Sequence, residues 1–368
     1  MRTPGLKPGV SRVEECQEER AGPGGVPDAA DPPIAARLID LGLRLAVFAG
    51  LFAVALPLVW SVHPLSESRV RAIAGFGVLL CEVFAFHGGL ALGVLALGAV
   101  VCRRWRSAVL LAVLGGVHAG PGLVACVSPP RAVVIDDETP TLTILSHNLL
   151  FSSADLDALE SIVDRERPDA IMLQEVVGKQ AGEILERFGD DYPHIVWPNT
   201  HRWGGMALST HPFVEIPDAI PGEEAWPIDQ PVGVIEFEGG PVTFIGIHLP
   251  APNSLGQLVA GPRMTARLAD WIETQPGTSM VLAGDFNAPL WTTRMRPLRD
   301  AGLTEAHRAA GGGRGSTWPS HHAALRVIPG IRLDQAAFTG DLRCIESRVL
   351  GPTGSDHRPI LVRFARPG

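Results

Sequence analysis

The stretch Val281-Leu282-Ala283-Gly284-Asp285-Phe286-Asn287 decides how this chain is read. Its four small or apolar residues describe a buried strand that runs into a sharp stop. At the stop an acid and an amide stand two residues apart, so both side chains leave the strand end on the same side. A carboxylate that takes protons or holds a cation, beside an amide that donates hydrogen bonds, suits chemistry on a phosphate oxygen. Gly-Asp-Phe-Asn is also a good turn, because Asp and Asn bond their own backbone. What stands at the other strand ends separates the two readings.

Polar groups recur at those ends. Asn148 follows Thr143-Ile144-Leu145-Ser146-His147, Glu175 follows Ile171-Met172-Leu173-Gln174, and His248 follows Phe244-Ile245-Gly246-Ile247. Asp334 lies in Arg332-Leu333-Asp334-Gln335, and Asp356-His357 in Gly354-Ser355-Asp356-His357-Arg358-Pro359. Each has a plain structural reading: a turn at Asn148, a solvated strand end at Glu175, a core histidine at His248, a turn before Pro359 at Asp356. Separate accidents do not explain all of them.

Around these motifs strands and helices alternate. Residues 141–146, 170–173, 206–209, 232–237, 242–247, 333–338 and 360–364 read as strands bounded by glycine and proline. Leu156, Leu159, Ile162 and Val163 share one face of a helix over 154–167, stopped by Pro168. A second helix is expected over 263–274. This order predicts one α/β domain over residues 141–368.

With these blocks in place, the chain resembles the endonuclease/exonuclease/phosphatase superfamily, the deoxyribonuclease I-like metal-dependent phosphohydrolases. Asn148, Gln174-Glu175, Gly205-Met206-Ala207-Leu208-Ser209, His248, Gly284-Asp285-Phe286-Asn287, Arg332-Leu333-Asp334 and Ser355-Asp356-His357 carry the resemblance in order. It implies a four-layer α/β sandwich, two mixed sheets flanked by helices, with the active site at one end of the sheets. It also implies a Mg²⁺ or Mn²⁺ ion held by Glu175, with Asn148 and Asp356 completing its shell. Asp285 would orient or deprotonate the attacking water, and Asn287 would bond that water or the phosphate oxygens. His357, its ring held by Asp334, would stabilise the phosphoryl oxygens, and His248 would contact the phosphate or protonate the leaving oxygen. The chain departs from the pattern near Pro198-Asn199, where no acid precedes His248 as its partner. Arg202 is either a phosphate contact or a surface arginine. Thr317-Trp318-Pro319 matches the family's threonine–aromatic block, and packing alone also accounts for Trp318.

The first part of the chain is of another kind. The protein is 46% hydrophobic and 19% charged, with mean hydropathy +0.18, too apolar for an ordinary soluble protein. Residues 1–36 are expected to be a disordered cytoplasmic tail. Residues 37–128 contain three apolar runs, 45–62, 72–102 and 108–127, each long enough for a spanning helix of about 20 residues. Three transmembrane helices and a linker over 129–140 are therefore expected before the α/β domain. Arg103-Arg104-Trp105-Arg106 is the most basic short loop and should face the cytoplasm, which puts everything after 128 outside. Glu82, His87 and His118 fall at membrane depth, as functional groups or, the reading favoured here, as interhelical hydrogen-bonding groups. Gly311-Gly312-Gly313 with His321-His322 read as a mobile loop outside the site. Cys344 is the only cysteine after residue 130, so no disulfide framework is readable.

Charge narrows the substrate. Residues 131–368 carry 20 Lys/Arg against 30 Asp/Glu, a net −10. That is a poor match to a long nucleic-acid duplex and a good one to divalent cations. The anchor resembles that of a membrane-tethered subgroup known from actinobacteria. The expectation is an extracytoplasmic phosphohydrolase acting on a lipid-linked phosphoester or pyrophosphate, since tethering raises the effective concentration of a headgroup. A tethered nuclease and a catalytically silent binding module of the same fold are the alternatives.

Overall fold

Period-two alternation builds the layers of the second half of the chain. Ile144, Met172, Phe244, Val281, Ala283 and Val362 point into a core shared by two sheets. Their strand neighbours Leu145, Ile171, Leu173 and Leu361 point the opposite way, onto helices, as do Ile245, Ile247 and Leu282 of the other sheet. Each such side chain, fully buried, stabilises by about 1.5–3 kcal/mol.

The computed structural model describes residues 33–59, 69–198, 204–320 and 330–366, apart from 132, 134, 137 and 152. Backbone contacts gather the chain into two units, Met1–Gly42 and Leu43–Gly368. The larger unit contains both sheets. The first runs β11 (Arg343–Val349), β12 (Ile360–Ala365), β1 (Thr141–Asn148), β2 (Ala170–Val176), β4 (Gly204–Ser209), β3 (His194–Val196). The second runs β5 (Phe213–Glu215), β6 (Val232–Phe237), β7 (Gly240–His248), β8 (Ser279–Asp285), β10 (Asp334–Phe338), β9 (Thr304–Glu305). β1–β2 and β7–β8 pair in parallel and the other pairs are antiparallel. Helices α5 (Leu156–Glu166) and α6 (Gly178–Phe188) cover the first sheet, and α7 (Leu255–Glu273) covers the second. The expected four-layer sandwich of two mixed sheets flanked by helices is what the chain forms. Two short helices, α8 (Arg296–Asp300) and α9 (Ala306–Ala310), complete it.

Parallel pairing brings the polar strand ends to one edge. Asn148 aligns with Gln174, His248 with Asp285, and Asp334 with Asp285 from the antiparallel side. Gly284 makes the last parallel step possible. Its φ is +153°, and a Cβ there would fall 1.9 Å from the Ile247 carbonyl oxygen.

Several elements differ from the sequence reading. α7 begins eight residues before the expected helix and runs through Pro262, with the Ser254 hydroxyl accepting from the Gln257 N–H. Gly311-Gly312-Gly313 is not a mobile loop: the Gly313 N–H donates to Ser128 and Gly311 bridges to Ser347. His321 and His322 lie outside the described residues, as do residues 1–32 of the expected tail.

The apolar segment also departs from three plain spans. Among the described residues, α1 (Ile34–Val59) and α4 (Trp105–Val127) supply two helices long and apolar enough to cross a membrane, which indicates membrane association. A third span is reached only if α2 (Arg69–Val83) and α3 (Ala85–Val101), bent by 64° at Phe84, count as one. On the near side of the bend α2 packs against the α/β layers. Leu79 of α2 joins the core beneath α7, with Phe76 and Val83 packed against it. Glu82 accepts the Thr293 N–H at 2.9 and 3.1 Å and also its hydroxyl. Glu82 is thus a clamp onto the α/β layers rather than an interhelical group within the bilayer. His118, by contrast, does bond between helices, its Nε2 3.1 Å from the Gly50 carbonyl oxygen.

Removing the Glu82 carboxylate leaves the Thr293 N–H and hydroxyl without their acceptor, a loss of about 1–3 kcal/mol. Glu82→Ala is expected to lower the thermal unfolding midpoint of the detergent-solubilised full chain, and Glu82→Gln to lower it less. An unchanged midpoint in Glu82→Ala would show that the clamp contributes nothing.

Candidate active site

At the shared strand edge, alternation aims Asn148, His248, Asp285 and Asp334 into the space between the sheets, on the faces of Ile144, Phe244, Ala283 and Ala336. Glu175 would point the other way, with Leu173, if the alternation ran on. It does not. The β2–β4 register shifts between Leu173 and Val176, and Glu175 has φ +60°. This bulge turns its carboxylate toward the others. Asn287 also sits in the left-handed region, at φ +50°. Strained non-glycine backbone of this kind gathers at functional sites.

The side chains form one connected network. Asn148 Nδ2 donates to Glu175 Oε1 at 3.1 Å and to Asp285 Oδ2 at 3.0 Å. Asn287 donates to the same Asp285 through its backbone N–H (2.8 Å) and its Nδ2 (3.0 Å). His357 Nδ1 lies 2.7 Å from Asp334 Oδ2, leaving Nε2 at 3.9 Å from both Asp285 Oδ2 and Asp356 Oδ1. His248 Nε2 is 3.7 Å from Glu175 Oε1. These contacts join all eight residues into one connected set. Arg202 falls outside the described residues.

Electrostatics divides their roles. Burial works against a charge on His357, but the carboxylates of Asp334 and Asp285 outweigh it and push its pKa up to about 10. Burial raises Glu175 to about 7, against the Asn148 hydrogen bond, with Asp285 adding to the rise. Burial also raises Asp285, opposed first by the His357 charge. Asp285, Asp334 and His357 offer ligand atoms within 4.8 Å of one another, a cluster able to hold a metal ion. Three buried carboxylate oxygens in or next to it, Asp334 Oδ1, Glu175 Oε2 and Asp356 Oδ1, have no hydrogen-bond donor among the described residues.

Supporting residues emerge that the strand-end pattern did not single out. Trp318 does more than pack: its Nε1 donates to Asp356 Oδ2 at 3.0 Å. The Thr317 hydroxyl accepts the Asp334 N–H at 3.1 Å. Gln230 Oε1 accepts the His248 N–H at 2.6 Å, and Trp226 sets its ring edge-on to His248, 5.0 Å between centroids. Ser355 donates to the Asn148 carbonyl and accepts from the His357 N–H. The threonine–aromatic block and the Ser355-Asp356-His357 motif pointed to three of these, Thr317, Trp318 and Ser355. Gln230 and Trp226 come from a segment without periodicity.

His147 sits behind the network, its Nε2 2.6 Å from the Thr353 hydroxyl oxygen. Burial, then the His357 charge, press its pKa down to about 3. In an unfolded chain it would titrate near 6.5. As pH falls from about 6.5 toward 3, the unfolded state gains a proton that the folded state refuses, so stability is lost. His147→Gln is expected to flatten the fall of the unfolding midpoint across that window; parallel wild-type and variant profiles would refute the assignment.

Residues 145–357, more than half of the chain, match the Endonuclease/Exonuclease/phosphatase family. The fold is shared with an endonuclease/exonuclease/phosphatase from Beutenbergia cavernae, at TM-score 0.52 and 18% identity over 62% of this chain and 72% of that one. It is also shared with a protein of that family from Leptotrichia buccalis, at TM-score 0.50 and 19% identity over 61% and 99%. No curated protein matches the chain. The family match, the two mixed sheets and the carboxylate–histidine network at their edge agree: the chain belongs to the endonuclease/exonuclease/phosphatase family.

Proposed function

We propose that the protein is a Mg²⁺- or Mn²⁺-dependent phosphohydrolase that cleaves a phosphoester or pyrophosphate bond in a lipid-linked substrate, with its active site on the extracytoplasmic face. Members of its family are generally hydrolases of phosphoester bonds. The observation that carries the metal assignment is the pair of buried, donorless oxygens Glu175 Oε2 and Asp356 Oδ1. Buried carboxylate oxygens without donors are costly unless a cation compensates them. They also form the hard oxygen set that Mg²⁺ and Mn²⁺ take. Asn148 supports that shell, its Nδ2 tying Glu175 to Asp285. The cluster of Asp285, Asp334 and His357 is a weaker cage, because His357 Nδ1 already faces Asp334 and three N–H groups already bond Asp285.

When bound, the ion would neutralise charge developing on the phosphoryl oxygens. The chain's own groups do the rest. Asp285, raised by burial and fixed by two asparagines, is placed to orient a water and accept its proton. Asn287 holds Asp285 and lies within reach of the same water. His357 stays protonated through neutral pH and turns Nε2 into the gap between Asp285 and Asp356, where a phosphoryl oxygen would receive it. Asp334 fixes its ring. His248, backed by Trp226 and Gln230, faces Glu175 from the far side as a phosphate contact or proton donor to the leaving oxygen.

The apolar helices favour a membrane-borne substrate, and the net −10 beyond residue 130 weighs against long DNA. The deciding assay uses the full chain in detergent, with a polyprenyl pyrophosphate, a phospholipid, a generic phosphodiester and plasmid DNA as substrates. Metal-dependent release from a lipid substrate is expected, with His357→Ala slower by about 10²–10⁴-fold. DNA nicking alone would make the protein a tethered nuclease, and no turnover of any substrate would leave a silent module.

The metal assignment has its own readout. Mn²⁺ at about 100 times its Kd is expected to stabilise the wild type by about 2.7 kcal/mol, and Glu175→Gln/Asp356→Asn to show no such shift. Trp318→Phe, which removes the N–H to Asp356, should weaken the ion about 10–100-fold. A Mn²⁺ shift that survives in the double variant would move the ion elsewhere.

A further inference from the structure

A cavity of ≈ 660 Å³ lies where the apolar helices meet the α/β layers, within the ~300–1,000 Å³ range of ligand sites. One wall is apolar, formed by Phe86 in the first turn of α3 and by Val117 and Pro121 in the second half of α4. Four arginines also line it: Arg131, Arg308, Arg314 and Arg332. The acids that border it are engaged. Glu82 accepts from Thr293, and Glu305 holds Arg332 at 2.8 Å. Arg131, Arg308 and Arg314 are left without a carboxylate partner among the described residues.

Arg314 is the best defined of the three. Its guanidinium lies 3.8 Å over the Phe86 ring, and Nη2 donates to the Gly330 carbonyl at 3.4 Å. Its Nε is buried and has no acceptor among the described residues. The arrangement exists only because residue 122 is glycine. A Cβ there would stand 2.2 Å from the Phe86 ring and 2.4 Å from Arg314 Nη1. Three arginines without carboxylate partners beside apolar side chains, in a portion of the chain whose net charge is −10, are a local inversion of charge. Their depth is informative too. α3 begins and α4 ends at this cavity, joined at their far ends by residues 102–104. With α3 and α4 taken as membrane-spanning, as the proposed function has them, the cavity falls at the level where hydrocarbon gives way to headgroups.

We propose that this cavity binds a membrane lipid with an anionic phosphate headgroup, the phosphate among Arg131, Arg308 and Arg314 and the hydrocarbon along Phe86, Val117 and Pro121. A zwitterionic headgroup would bring a further cation in with its phosphate, and free phosphate would leave the apolar side chains unused. The site is separate from the carboxylate network, and its occupancy does not depend on which bond that network hydrolyses. One segment serves both: Trp318 and Ile331 exchange backbone hydrogen bonds at 2.9 and 2.6 Å. Trp318 reaches Asp356, while Ile331 lines the cavity.

The test follows thermal unfolding of the full chain in an uncharged detergent, with EDTA present so that no metal at the carboxylate network can hold a phosphate. Dioleoylphosphatidylglycerol, dioleoylphosphatidylcholine and inorganic phosphate are titrated separately. Phosphatidylglycerol is expected to raise the midpoint saturably, and the other two to leave it unchanged at the same concentrations. Arg131→Glu/Arg308→Glu, at two exposed positions, should require at least about tenfold more phosphatidylglycerol for the same rise. Arg131→Gln/Arg308→Gln should fall between. An equal response to phosphatidylcholine, an unaltered response in the charge-reversed variant, or a matching rise with inorganic phosphate alone would each overturn the proposal.

Discussion

The hydrogen bonds from Asn148 to Glu175 and Asp285 are the contacts on which the site depends. Asn148 and Glu175 belong to the first sheet and Asp285 to the second, so one amide bridges the sandwich where its apolar core ends. Burial favours the neutral forms of both acids, and the amide donors together with the protonated His357 oppose that drift. The apolar core sets the spacing of the sheets, and that spacing puts a carboxylate from each within reach of one asparagine. Packing defects near Ala283 or Ile144 would therefore be felt at the polar edge before they were felt as unfolding.

Much of this was readable from the strand-end motifs. Asn148, His248, Asp285 and Asp334 obey the period of two, and their common direction follows from pattern alone. Glu175 does not obey it: a register shift and a left-handed residue re-aim it, and no one-dimensional pattern predicts a bulge. Helix α6 was missed although Ala181, Ile184 and Phe188 bury one face, because its glycines and charges dilute the signal. α7 runs eight residues further back than the expected 263–274, through Pro262. Trp318 carried an ambiguity that only its 3.0 Å bond to Asp356 removes.

Hydropathy was least informative where direction mattered. The run over 72–102 is apolar throughout except at Glu82 and His87, and nothing in composition marks the 64° turn at Phe84. The partner that explains Glu82 is Thr293, 211 residues away. Long-range polar pairing of this kind converts an apparent intramembrane acid into a structural joint. It also gives α2 two kinds of surface, an apolar one facing the α7 core and a polar one gripping the start of a loop.

The joint changes how the α/β layers are attached to the apolar helices. α4 leads into the α/β layers through the covalent link over 128–140, while α2 enters the same layers non-covalently through Leu79 and Glu82. A protease that cut the link would sever the backbone and leave the second hold in place. The α/β portion would then remain with the membrane as a nicked but associated body rather than being shed. Its orientation relative to α2 is likewise set by a packed interface, not by the swing of a flexible stalk.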